Sequence, residues 1–138
     1  MTYTNNMKAS YMAIGRVIEI ARYDCHTQGF GNGMGGIALH FTDGSRLEFI
    51  QGGGDCCASV YMTCDDDLSS FTGDKYLGHE VLDAPEVEDA YETHEMQFLH
   101  IRTSGGTITC EGHNKHNGYY GGLDVRASFL DGQEKISD

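Results

Sequence analysis

A chain of 138 residues, 39% of them hydrophobic and 10% aromatic, has the size and apolar content of one domain with one core. No apolar run approaches the roughly 18 residues that cross a bilayer, which excludes a transmembrane helix. The 21 acidic against 9 basic residues leave a formal net charge of -12, which works against direct nucleic-acid binding, because that affinity rests on Lys and Arg neutralising phosphates.

The single domain is expected to span residues 1–138, with an ordered core from about 12 to 130 and polar ends. The first ten residues lack the basic start and apolar stretch of an export signal. Together with five cysteines without disulfide-framework spacing, Cys25, Cys56, Cys57, Cys64 and Cys110, this predicts a cytoplasmic protein with free thiols. The 19 glycines and one proline point to many tight turns between short strands.

In chain order, Ala13, Ile14, Val17, Ile18 and Ala21 fit helical spacing, while Ile18 and Ile20 around Glu19 fit a strand; a short turn running into a strand is expected. Gly29 to Gly36 superficially resembles a phosphate-binding loop. It lacks the following helix of a dinucleotide fingerprint and the Gly-Lys-Ser/Thr of a nucleoside-triphosphate loop, so a turn is the better reading. From Ile37 to Ile50, apolar residues alternate on both sides of Asp43-Gly44, predicting a hairpin closed by a two-residue turn with positive φ angles.

Cys56-Cys57 follows Gly52-Gly53-Gly54-Asp55. Adjacent strand residues face opposite ways, so the two thiols are not expected to share a ligand. Val60, Met62 and Cys64 form one face of the next strand. The run Asp65-Asp66-Asp67 fails as a calcium loop, because its sixth and twelfth positions are Ser70 and Tyr76. It reads instead as the capped start of a helical turn ending at Gly73. Another strand is expected around Gly78 to Leu82. Between Asp74 and Glu95 stand eight acidic residues and one basic residue, Lys75. Asp83, Glu86, Glu88, Asp89 and Glu92 are the candidate surface for a basic partner, and a solvated loop is the plainer alternative.

Met96 to Thr103 and Thr107 to Glu111 flank Ser104-Gly105-Gly106 as a second hairpin. Cys110, His113 and His116 have the side chains of a zinc site, to be completed by Cys56, Cys57 or Cys64. The alternative is a core cysteine and two loop histidines, with no cofactor. His113, His116, Asn117, Tyr119 and Tyr120, with Arg102 and Arg126, are the candidate set for an anionic nucleotide held by stacking and charge, in a protein able to form homo-oligomers. Val125, Ala127 and Phe129 alternate inward on a last strand, and Asp131 to Asp138 is a polar tail. The fold class expected is α+β, mainly β: a single antiparallel or small barrel-like sheet of six to seven short strands with one or two short helices. No catalytic motif is found.

Three segments, Gly54-Asp55-Cys56-Cys57-Ala58-Ser59-Val60-Tyr61, Asp67-Leu68 to Phe71-Thr72-Gly73, and Asn117-Gly118-Tyr119-Tyr120-Gly121-Gly122, carry a family resemblance. Over about Ile14 to Phe129 the chain resembles small bacteriophage-encoded proteins grouped only as a domain of unknown function, with a Cys-Cys pair and an Asn-Gly-Tyr-Tyr motif. The basic and aromatic positions some members carry before that motif are replaced here by Gly112-His113-Asn114-Lys115-His116. The resemblance implies a small protein made in an infected bacterial cell, acting on a host protein and serving an anti-defence role. It supplies no catalytic residues. A virion-associated role is a further alternative.

Overall fold

The hairpin around Asp43-Gly44 organises the first sheet. In the computed structural model, which describes residues 2–24, 35–52, 59–84, 87–88, 92–116 and 122–132, its strands are β3 (Gly36–Phe41) and β4 (Arg46–Gly52). The turn differs from the two-residue form expected. Phe41 N donates to Ser45 O and Gly44 N to Phe41 O, so Thr42-Asp43-Gly44 make a three-residue connection in which only Gly44 has a positive φ, +89°. Asp43 stays in ordinary backbone space and accepts from Ser45 N at 2.9 Å.

The expected single sheet is replaced by two antiparallel sheets, and no closed barrel forms. Ten strands are present among the described residues, eight of them six residues or longer. In the first sheet, β1 (Thr2–Tyr3), β10 (Asp124–Leu130), β4, β3 and β2 (Ile18–Asp24) lie side by side. The second has the order β5 (Ser59–Cys64), β9 (Gly106–His116), β8 (Thr93–Thr103), β6 (Tyr76–Asp83), with β7 (Val87–Glu88) also paired to β8. Two layers are the physical answer to alternating strands. Each sheet has one apolar face to bury, and a single eight-residue helix is too small to cover either.

Ile18, Ile37, Leu39, Phe41, Leu47, Phe49 and Phe129 of the first sheet meet Met62, Tyr76, Leu99, Ile101 and Ile108 of the second, all essentially without exposure. At about 1.5–3 kcal/mol per fully buried large apolar side chain, this layer is the main stabilising contribution.

Helix α1 (Asn6–Ala13) falls in the segment read from sequence as a polar terminus. Asn5 caps it by accepting from Lys8 N at 3.1 Å, and Ala9 and Ala13 are fully buried. The Asn6 amide donates to Val125 O (2.7 Å) and accepts from Ala127 N (2.8 Å). It thus imitates a strand and satisfies part of β10 that the two-residue β1 does not reach. The expected helical turn is a 3-10 helix at Leu68–Phe71, capped by Asp67 and followed by Gly73 at φ +93°. No described helix is long and apolar enough to cross a membrane.

Candidate functional site

The register of both sheets places the ends of the strands that flank residues 25–34, 53–58, 85–91 and 117–121 at one end of the sandwich. Asp24 pairs with Gly36, Gly52 with Asp124, Ser59 with Lys115 and Thr93 with His116. Here the inward phase of β8 and β9, apolar at Leu99, Ile101, Ile108 and Cys110, becomes polar. Glu95 Oε1 accepts from His116 Nε2 (2.8 Å), Gly122 N (2.9 Å) and Asn114 Nδ2 (3.4 Å), and Asn114 Nδ2 also donates to Gly122 O (2.9 Å). Gln97 Nε2 donates to Asp83 Oδ1 at 2.7 Å, and Gln51 Nε2, from the facing sheet, to Asp124 O at 2.9 Å. Asn114, His116 and Gln51 are buried. This network braces the strand ends. Around it, Asp83, Glu92 and Asp124 stand exposed.

The outer face of the second sheet carries a different group. His113 stacks on its cross-strand neighbour Tyr61, with ring centroids 4.7 Å apart and planes 15° from parallel. Its Nδ1 lies 3.0 Å from His94 Nε2 and its Nε2 3.1 Å from Thr63 Oγ1. Burial, then the neighbouring His94, holds the His113 pKa below the ordinary imidazole value, with Glu111 opposing and Lys115 adding to the shift. On the inner face, His79 packs against Phe49 at 4.8 Å, and burial lowers its pKa as well. Both rings are therefore neutral at neutral pH.

Of the nucleotide set, His113 and His116 point to opposite faces of β9, as an odd separation on a strand requires. Arg102 sits on the outer face near the Ser104-Gly105 turn, paired with Glu80 at 2.8 Å. Arg126 belongs to the other sheet, 3.3 Å from Asp124. These four do not converge, and Asn117, Tyr119 and Tyr120 lie outside the described residues. Cys110, His113 and His116, the candidate zinc ligands, are not brought together either. Cys110 faces inward and His113 outward, and the six residues from Cys110 to His116 span about 20 Å of strand. No group of three metal-ligating side chains occurs among the described residues. Cys25, Cys56 and Cys57, and Glu86 and Asp89 of the acidic set, also lie outside them, and Glu88 is described by its backbone, paired with Thr93.

Glu95, counted in the sequence only as the end of the acidic segment, and Gln97, Asn114 and Gln51 were not assigned to a site from sequence. A signal existed for two of them: Glu95 and Gln97 continue the inward phase set by Leu99 and Ile101. A shallow depression of about 190 Å³ lined by Thr63, Asp65, Asp66, Thr109 and Glu111 was also not foreseen. There Asp66 Oδ2 accepts from Thr109 N at 2.7 Å.

Comparison with known protein families matches residues 11–125 to a domain of unknown function, DUF7448. The chain belongs to this family. Neither the curated proteins nor the solved structures give a match. The DUF7448 match runs from the end of α1 through β2 to the start of β10, including the whole of the Glu95 network.

Proposed function

We propose that this DUF7448 protein is a non-catalytic binding protein that presents the acidic, connection-bearing end of its sandwich to a basic surface on a partner protein. The observation that carries this reading is the pairing of a braced frame with exposed charge. Asp83, Glu92 and Asp124 project from strand ends held by the Glu95, His116, Asn114 and Gln97 bonds. Carboxylates on rigid strand ends lose little freedom on binding, and a net charge of -12 steers a cationic partner toward them. The likeness to phage-encoded proteins makes a host protein of the infected bacterium the partner we propose, with suppression of a defence response as the consequence.

The test replaces Asp83, Glu86, Glu88, Asp89 and Glu92 together by lysine and compares the variant with the native protein as bait in bacterial lysate, at low and raised salt. The native bait is expected to retain a defined basic protein that raised salt releases and the reversed bait does not hold. Equal retention by both baits, or none by either, would sink the proposal.

A further inference from the structure

Cys64 ends β5 and Cys110 lies on β9, and the two are direct cross-strand partners. Opposed residues of an antiparallel ladder have Cα atoms about 4.5–5.5 Å apart, inside the roughly 4.4–6.8 Å range a disulfide bridges. Their side chains share the inward face, as directly opposed residues of a ladder do. Both are free. The surroundings differ on the two sides: Cys110 is fully buried in the core, whereas Cys64 is half-buried at its margin, where its S–H donates to Thr109 O at 3.6 Å.

We propose that Cys64 and Cys110 form a peroxide-sensitive dithiol, in which Cys64 is the attacking thiol and Cys110 the resolving one. The neighbouring Cys110 thiol, and after it the Asp66 backbone N–H, favour the Cys64 thiolate. Together they hold the Cys64 thiol down to about 7, against burial and the carboxylates of Asp66 and Asp65. Cys110 is correspondingly pushed up, first by the Cys64 thiol beside it and then by burial. Thiolate character therefore gathers on the less buried of the two cysteines.

With hydrogen peroxide as oxidant, the Cys64 thiolate attacks one peroxide oxygen. The O–O bond breaks, Cys64 becomes a sulfenic acid, and the departing hydroxide takes a proton to leave as water. The Cys110 sulfur then attacks the Cys64 sulfur, the S–O bond breaks, and the Cys110 proton departs with that hydroxyl as a second water. Two thiols are oxidised to one disulfide and one peroxide is reduced. Closure needs no rearrangement of the ladder, because the partners are already opposed.

The experiment treats the reduced, full-length protein with one equivalent of hydrogen peroxide and maps linked peptides by mass spectrometry without reduction. The expected product is a monomer lighter by about 2 Da, the two thiol hydrogens, linked through Cys64 and Cys110 and reversed by dithiothreitol. Cys110→Ala keeps the site small and apolar, and is expected to halt oxidation at Cys64 sulfenic acid, captured by dimedone. The map on the native sequence decides the pairing even where that variant folds poorly. Links running instead to Cys25, Cys56 or Cys57, or a Cys64 that stays reduced while other thiols oxidise, would overturn the proposal.

Discussion

Tyr76 is the largest of the fully buried side chains, and its one polar atom is satisfied. The hydroxyl lies 2.5 Å from Ser10 Oγ and 3.3 Å from His79 Nδ1, so a single oxygen ties helix α1 to β6. Tyr76→Phe keeps the ring in the core beside Phe41 but strands the buried Ser10 hydroxyl. It is expected to cost about 1–2 kcal/mol in urea unfolding. Tyr76→Ala, which also opens a cavity, should cost about 3–5 kcal/mol. The same residue carries a pH signature. Burial raises the Tyr76 pKa to about 12 from the ordinary 10.0, with the Ser10 bond opposing. Between those values the folded protein holds the proton more tightly than the unfolded chain. Stability is therefore fully present below the ordinary value and falls as pH rises toward the folded one, by about 2 kcal/mol. Denaturation measured across that window should lose this alkaline slope in Tyr76→Phe; an unchanged slope would mean that the hydroxyl titrates as it does in the unfolded chain.

At the scale of elements, the contact that sets the spacing of the two sheets at their polar end is Gln51 of β4 lying on Gly112 of β9. A methyl group at Gly112 would overlap Gln51 Oε1 and sit 2.8 Å from its Cδ. Gln51 is 1% exposed, and its Nε2 is held by Gly52 O and Asp124 O, each at 2.9 Å, so it cannot swing clear. Gly112→Ala is expected to destabilise by about 1–3 kcal/mol. In Gln51→Ala/Gly112→Ala the costs should fall short of additive by more than about 0.5 kcal/mol. Simple additivity in denaturant titrations would mean that the sheets meet elsewhere. This contact also shows where reading the chain alone stops. Local signals carried the hairpins, the 3-10 turn and the inward phase of β10, because turn chemistry and two-residue alternation are written within a few residues. The pairings of β10 with β4 and of β5 with β9 join segments tens of residues apart, and nothing local distinguishes one wide sheet from two stacked ones. Helix α1 escaped for the opposite reason: its buried stripe consists of Ala9, Ser10 and Ala13, too small and polar to register as amphipathic.

For the molecule as a whole, site legibility followed the same division. That Cys110 is a core residue could be read from its neighbour Ile108. That Cys64 stands opposite it, or that Glu95 meets His116, depends on a register no single strand specifies. Charge, in contrast, needs no register, and it sets two terms against each other. Arg16, Arg46, Arg102 and Arg126 are each paired with a carboxylate, but only Glu48, the partner of Arg46, is buried, and the other, surface pairs contribute only about 0–1 kcal/mol apiece. The remaining excess of -12 repels itself across the whole domain when the Debye length is about 30 Å at 0.01 M salt, and far less when it is about 8 Å at 0.15 M. Repulsion acts over every pair of excess charges and attraction over a few contacts, so screening should help the fold more than it harms it. Thermal unfolding is therefore expected to shift upward by several degrees between those two concentrations of sodium chloride, equally with potassium chloride, and by less in Asp83→Asn/Glu92→Gln, which thins the charge at the proposed contact end. A melting temperature that falls with salt would show that the ion pairs outweigh the repulsion, and would remove the long-range attraction on which recognition of a basic partner depends.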